Sequence, residues 1–114
     1  MKRLWGDEGA TKTFRREFAQ WARDHGGTLV DDEDGAIFCE FDGTDTHASF
    51  EIGVYEAGGQ HVLRFDTIRE EIELKVLAEY AIDESTLVVK SDQGSREFEL
   101  DVASGNWSVR KRPI

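Results

Sequence analysis

The first clear pattern along the chain is a helical one, over residues 11–25. Its apolar positions recur at i, i+4, i+7 and i+8, which is one face of a 3.6-residue period. They are Phe14, Phe18, Trp21 and Ala22. Arginines take much of the opposite side, and the pair Gly26-Gly27 follows, as glycine does after a last helical turn. The pattern predicts an amphipathic helix whose outer face is basic.

From residue 28 onward the period changes to two, which is typical of strands with one buried face. Glycine-containing turns such as Asp42-Gly43 and Gly58-Gly59 separate the alternating runs. The predicted strands cover residues 28–31, 37–42, 48–55, 63–65, 87–90, 98–102 and 107–110. Neighbouring strands joined by short turns predict an antiparallel meander.

The segment 67–82 fits two structures. Thr67 and Glu70 have the spacing of a helix capping box, and most of the following residues are good helix formers. Alternate positions from Ile72 to Tyr80 are also apolar, as they are in a strand. We favour a helix at about 67–81 and keep the strand as the alternative.

These elements predict one α+β domain spanning residues 1–114. The N-terminal amphipathic helix packs on a multi-stranded antiparallel sheet, with one further helix at about 67–81. A chain of 114 residues is long enough to bury a single core. We expect the first ten or so residues and the last few to fray.

The charge of the chain is unevenly placed. Residues 1–23 carry six bases against three acids, residues 24–101 carry five bases against 21 acids, and the tail adds three bases. The segments therefore have net charges of +3, −16 and +3, and the whole chain has −10. An acidic body between two basic ends favours a basic protein as partner and disfavours nucleic acid, whose phosphates it would repel.

Composition also limits the location and the chemistry. Charges interrupt every apolar run before it could span a membrane, and no apolar segment follows the basic N-terminus, so we expect a cytoplasmic protein without membrane contact. The single cysteine, Cys39, cannot form an internal disulfide and falls on the apolar side of its strand. A buried structural cysteine is the expected role.

No constellation of catalytic, cofactor or metal-binding residues stands out. The acidic turn at residues 31–35 does not match a calcium loop: aligning Gly35 with the loop glycine puts Val30 at the first ligand position and Phe41 at the glutamate position. The histidines are scattered, and there is no glycine-rich phosphate loop or nucleophile elbow. We therefore expect no catalytic residues, no cofactor and no metal.

Residues 14–82 resemble a known group of proteins. The run Phe18-Ala19-Gln20-Trp21-Ala22, the following Gly26-Gly27 and an aromatic strand through Phe38 resemble the opening of immunity proteins from actinobacterial polymorphic toxin systems. The segment 72–80 is similar to the helix that those proteins place after their first sheet. The resemblance implies stoichiometric, non-catalytic occlusion of a toxin's active site.

The leading hypothesis is an acidic protein-binding module of the immunity or inhibitor type. Turn carboxylates would steer a basic toxin or enzyme, and aromatic residues on the polar side of their strands would anchor it. The candidate partner-binding residues are Asp31, Asp32, Glu33, Asp34, Asp42, Asp45, Phe38 and Tyr55.

Two other functions fit the same sequence. A small acidic secretion or folding chaperone would act as a homodimer that holds an unfolded client. A small enzyme or small-molecule-binding protein would use carboxylates in a concavity of the sheet.

Overall fold

The chain folds into one helix and two antiparallel sheets. The structure is a computed structural model that describes residues 2–3, 8–31, 36–43, 48–75, 77–91, 96–102 and 108–113. The helix α1 spans Glu8–Asp24. The strands are β1 (Lys2–Arg3), β2 (Gly27–Asp31), β3 (Ala36–Phe41), β4 (Phe50–Ala57), β5 (Gln60–Thr67), β6 (Glu71–Lys75), β7 (Leu77–Ile82), β8 (Thr86–Ser91), β9 (Arg96–Asp101) and β10 (Ser108–Pro113).

The two sheets have five strands each. The first sheet is a meander with the order β2-β3-β4-β5-β6, and the second has the order β1-β7-β8-β9-β10. The chain passes from one sheet to the other between β6 and β7. The two ends of the chain, where we expected fraying, contain β1 and β10, which pair with β7 and β9. The α+β class, with an N-terminal helix packed on an antiparallel sheet, is confirmed.

The helix begins three residues earlier than its periodicity predicted and ends where the glycines stop it. Gly26 has a φ of 85°, which an L side chain rarely adopts. Gly27 starts β2 in a tight place, since a Cβ there would lie 2.7 Å from the Phe41 ring and 2.9 Å from the carbonyl oxygen of Ala22. Gly26 thus lets the chain reverse after the helix, and Gly27 lets β2 start in close contact with the last helical turn.

The prediction of a second helix at 67–81 is wrong, because this segment forms β6 and β7. The buried positions Leu74, Leu77 and Tyr80 are three residues apart, which imitates a helical face. That spacing arises because the chain changes sheets between β6 and β7 and the pairing register shifts within β7.

The Thr67–Glu70 spacing belongs to the β5–β6 turn instead of a helix cap. The Thr67 hydroxyl accepts hydrogen bonds from the N–H groups of Arg69 (3.2 Å) and Glu70 (3.1 Å). The N–H of Thr67 donates to the Glu70 carbonyl at 2.8 Å. A threonine hydroxyl can satisfy backbone donors in turns as well as at helix starts.

One buried cluster joins the helix and both sheets. Its central feature, here called the aromatic line, is a series of neighbouring rings that crosses from the helix through the first sheet to the second. The line consists of Trp21, Phe41, Phe50, Phe65 and Phe98. Successive ring centroids lie 5.9, 4.6, 5.3 and 5.7 Å apart. Burial is confirmed for Cys39 and for the aromatic residues whose spacing predicts a core position, which are Phe14, Phe18, Trp21, Phe41, Phe50 and Phe65.

Two polar contacts attach the helix to the second sheet. The Tyr80 hydroxyl on β7 donates to Glu17 Oε2 at 3.3 Å, while its ring packs edge-on against Phe14. Burial, together with the Glu17 carboxylate, raises the pKa of Tyr80 to about 12. At the other end of the helix, His25 Nε2 contacts the carbonyl oxygen of Glu84.

Among the described residues, no helix has the length and apolar character needed to cross a membrane.

We expect Phe98→Ala to reduce the free energy of unfolding by about 3–5 kcal/mol, since it removes a fully buried ring and leaves a cavity between the sheets. Urea denaturation followed by tryptophan fluorescence measures this difference. The control is Phe38→Ala, which removes the same ring from a half-buried position outside the core cluster and should cost less. Equal costs for the two variants would contradict the packing of β9 on the aromatic line.

Candidate functional site, the acidic face of the first sheet

The first sheet has one face covered and one face open. Alternate residues of β3 to β6 point into the core cluster beneath the helix. The intervening residues form the opposite face, which includes five carboxylates and two cations. The carboxylates, which together define the acidic face, are Glu40, Glu51, Asp66, Glu71 and Glu73. The cations are Arg64 and Lys75.

Four of these carboxylates lie in one row across the strands. The register pairs Glu40 with Glu51, Glu51 with Asp66, and Asp66 with Glu71. Because neighbouring strands are about 4.8 Å apart, the row extends over about 14 Å. Like charges in directly opposite positions destabilise a sheet. The row of like charges therefore destabilises the sheet, and core packing does not require acidic residues at these positions.

Cations neutralise only one half of the acidic face. Arg64 Nε lies 2.9 Å from Asp66 Oδ2, and its terminal nitrogen lies 3.2 Å from Glu71 Oε2. Lys75 Nζ lies 3.5 Å from Glu73 Oε1. Within the part of the chain that the structure describes, neither Glu40 nor Glu51 has an ion-pair partner. The β3–β4 half of the face thus has the stronger negative charge.

An aromatic pair lies beside this uncompensated half. The rings of Phe38 on β3 and Tyr55 on β4 stack with centroids 6.1 Å apart and an interplanar angle of 21°. Both residues are half-buried. Gly53 pairs with Phe38 in register, and a Cβ at Gly53 would clash with the Phe38 ring. The glycine therefore leaves the space in which the Phe38 ring lies flat on the sheet.

The Tyr55 hydroxyl joins the aromatic pair to the carboxylates. It donates to Glu73 Oε2 at 3.4 Å. Partial burial, and then the negative charge of Glu73, raise the pKa of Tyr55 above its ordinary value. The hydroxyl is therefore protonated near neutral pH and can act as a donor.

The second sheet distributes its charges differently. Register pairs Arg3 with Glu79, Glu79 with Lys90, Lys90 with Glu97, and Glu97 with Arg112. Signs alternate along this row, and opposite charges on directly opposite strand positions stabilise a sheet. The two basic ends of the chain supply its edge strands, β1 and β10. In this register the acids of the second sheet lie opposite basic positions, whereas Glu40 and Glu51 of the first sheet lie opposite each other.

The structure brings together two of the residues that the sequence proposed for partner binding, Phe38 and Tyr55. Asp42 is exposed directly after β3. Asp31 ends β2, whereas Asp32, Glu33, Asp34 and Asp45 lie outside the described residues.

Of the predicted turn acids, the structure describes Asp31 and Asp42, and these two lie apart. Asp31 pairs with Phe38 in register, whereas Asp42 follows Phe41, which separates them by about 13 Å along the strand direction. Sequence reasoning instead missed the acidic row across the strands, which becomes visible only when the register is known.

Among the described residues, no group of three or more His, Cys, Asp or Glu side chains is placed to hold a metal ion. Comparison with protein families, with curated proteins and with solved structures finds no match for this chain.

We expect Gly53→Ala to displace the Phe38 ring from its stack with Tyr55 at a cost of about 1–3 kcal/mol in unfolding free energy, because the new methyl group and the ring would occupy the same space. Urea denaturation of Gly53→Ala, Phe38→Ala and the double variant measures the coupling. The alanine at position 53 should cost much less once Phe38 has been shortened. Additive costs would contradict the close contact between Gly53 and the ring.

Proposed function

We propose that this chain is a non-catalytic protein-binding module whose acidic face receives the basic surface of another protein. The observation that carries the proposal is a difference in register between the two sheets. On the second sheet the register sets acids opposite basic positions, whereas on the first sheet it sets Glu40 opposite Glu51, and neither of these has an ion-pair partner among the described residues. Local departures from favourable pairing are expected where a surface serves function.

The shape of this face also suits a protein partner. Interface anchors are typically aromatic side chains surrounded by polar groups that exclude water. Phe38 and Tyr55 form such a group, with carboxylates on neighbouring strands. Their position on paired strands, instead of on a loop, means that little conformational entropy is lost when a partner binds.

An apolar side chain projects next to the acidic row. Ile68 is 90% exposed at the tip of the β5–β6 turn. The hydrogen bonds around Thr67 fix this turn, so the side chain projects from a rigid support. Asp66 and Glu71, the last two members of the acidic row, flank the turn. Ile68 would fill an apolar recess in a partner while the row meets basic residues around that recess.

A binding module of this kind would act by occlusion. The resemblance to immunity proteins implies a toxin or enzyme as partner, held in a stoichiometric complex. It keeps its opening part, from the helix through the strand of Phe38, but loses the segment 72–80, which those proteins form as a helix and this chain forms as strands. A partner with a basic active-site surface, such as an enzyme that acts on nucleic acid, would match the charge of the acidic face. Long-range attraction would speed the encounter, and the aromatic pair with Ile68 would slow dissociation.

The double variant Glu40→Lys/Glu51→Lys tests whether the negative charge of the acidic face attracts the partner. In affinity capture from the native cell lysate at low salt, we expect the unmodified protein to retain one basic protein in stoichiometric amount and the variant to retain at least tenfold less. The association rate of the purified pair, measured by surface plasmon resonance, should fall by about 10–100-fold. Phe38→Ala should instead raise the dissociation rate.

The matched control is Asp24→Lys/Glu84→Lys, which makes the same change of charge at exposed residues near the end of the helix and in the β7–β8 turn. It should bind like the unmodified protein. Equal losses in both double variants would show that only the net charge matters and would contradict the acidic face as the site. A stable homodimer that captures unfolded clients would favour a chaperone instead.

A further inference from the structure

The side of the molecule opposite the acidic face contains a groove with basic walls. It lies between α1 and the β2–β3 hairpin and has a volume of about 370 Å³. The helix contributes Arg16, Gln20 and Arg23 to its lining. The floor is apolar, with Ala19 from the helix, Leu29 from β2 and Ile37 from β3. The groove therefore combines positive charge with an apolar surface.

Arg16 and Arg23 are the cations available to a ligand in this groove. Both side chains are exposed, and neither forms an ion pair with any side chain that the structure describes. Lys12 and Arg15 also line the groove, but both already have partners within the chain, Arg15 through the Ala36 carbonyl among others. Arg16 and Arg23 are therefore the two groove cations that a ligand would pair with.

The two arginines are separated along the groove instead of converging on one point. They are seven residues apart, which corresponds to about 10.5 Å along a helix. A compact anion such as a single phosphate could not contact both arginines closely. A linear ligand with repeated negative charges could, because successive same-side residues of an extended peptide are about 6.6 Å apart and arginine side chains are long and flexible.

We propose that this basic groove binds an extended acidic segment of a partner protein, with carboxylates on Arg16 and Arg23 and an apolar side chain between them on the floor. Arginine binds carboxylates through paired N–H donors. The floor of Ala19, Leu29 and Ile37 would accept alanine- to leucine-sized side chains. The site is separate from the acidic face, since Leu29 and Ile37 belong to the covered side of the first sheet.

Charge favours a protein segment over a nucleic acid in this groove. A long polyanion would continue beyond the groove into the field of a chain with a net charge of −10. A peptide segment can carry its carboxylates only where they meet the arginines. Screening over about 8 Å at physiological salt keeps the acidic face from cancelling the local attraction.

The groove would recognise the acidic segment through side-chain contacts, and the segment would not pair with β2 as an added strand. β2 is the last strand of the first sheet, but its register shifts between Leu29 and Asp31, with the exposed Val30 at the irregularity. Such irregularities on edge strands interrupt the regular row of hydrogen-bonding groups that an added strand would need.

The test uses a fluorescein-labelled peptide of eight residues, Glu-Ser-Leu-Ser-Glu-Ser-Leu-Ser, titrated with the full chain in a fluorescence anisotropy assay. In an extended peptide its Glu and Leu side chains alternate along one side, which sets an apolar side chain between two carboxylates. We expect saturable binding that weakens at least tenfold in Arg16→Glu/Arg23→Glu and in a peptide with Gln in place of Glu. The control Arg69→Glu/Arg96→Glu makes the same charge change at exposed arginines outside the groove and should leave binding unchanged.

A second measurement needs no variant and so does not depend on the variant folding. In amide NMR spectra of the unmodified protein, the peptide should shift the signals of Leu29, Ile37 and residues 16–23, and leave those of Glu51 and Arg64 in place. No saturable binding, or shifts confined to the outer face, would overturn the proposal. Tighter binding of an eight-nucleotide single-stranded DNA at the same arginines would overturn the choice of an acidic protein segment.

Discussion

The rest of the structure depends on the packing of aromatic rings between the two sheets. Phe65 of the first sheet contacts Phe50 on one side and Phe98 of the second sheet on the other. Trp21 and Phe41 continue this line to the helix. Because the helix and the second sheet cover one face of the first sheet, the other face is left without a covering element among the described residues. The acidic face is a consequence of how the core is assembled.

Strand pairing then determines which sheet carries the excess negative charge of the chain. The basic residues at the two ends of the sequence enter β1 and β10, whose register sets them opposite Glu79, Glu97 and Glu99 of the second sheet. The sequence of the first sheet contains few cations, and Arg64 and Lys75 both lie on its β5–β6 half. An overall excess of acids thus becomes a local one, on the face that includes Phe38 and Tyr55. The basic groove on the helix side gives the molecule a second, oppositely charged surface.

Periodicity was enough to predict the helix, the meander and the buried rings, because each follows from a regular spacing in the sequence. At 67–82 the alternation of apolar residues indicated strands, and the wrong helix prediction came from the capping-box spacing of Thr67 and Glu70 and from helix propensity, which strand pairing overrides. Alternation placed Phe38 and Tyr55 on the polar side of their strands, but their stacking on each other depends on the β3–β4 register, which the sequence did not predict. The acidic row required the register across four strands, which alternation within each strand does not determine. Proximity along the chain suggested the turn acids instead, and the two of them that the structure describes, Asp31 and Asp42, lie at different levels along β3.

The most direct test of the account is a map of electrostatic potential along the protein surface. Paramagnetic relaxation of amide protons, measured with small cationic, neutral and anionic nitroxide probes, reports the local potential residue by residue. We predict a marked excess of the cationic probe at Glu40 and Glu51, a smaller one at Asp66 beside Arg64, and little preference at Glu79, Lys90 and Glu97. Equal enrichment of the cationic probe over both sheets would contradict the claim that the acidic charge is concentrated on the first sheet.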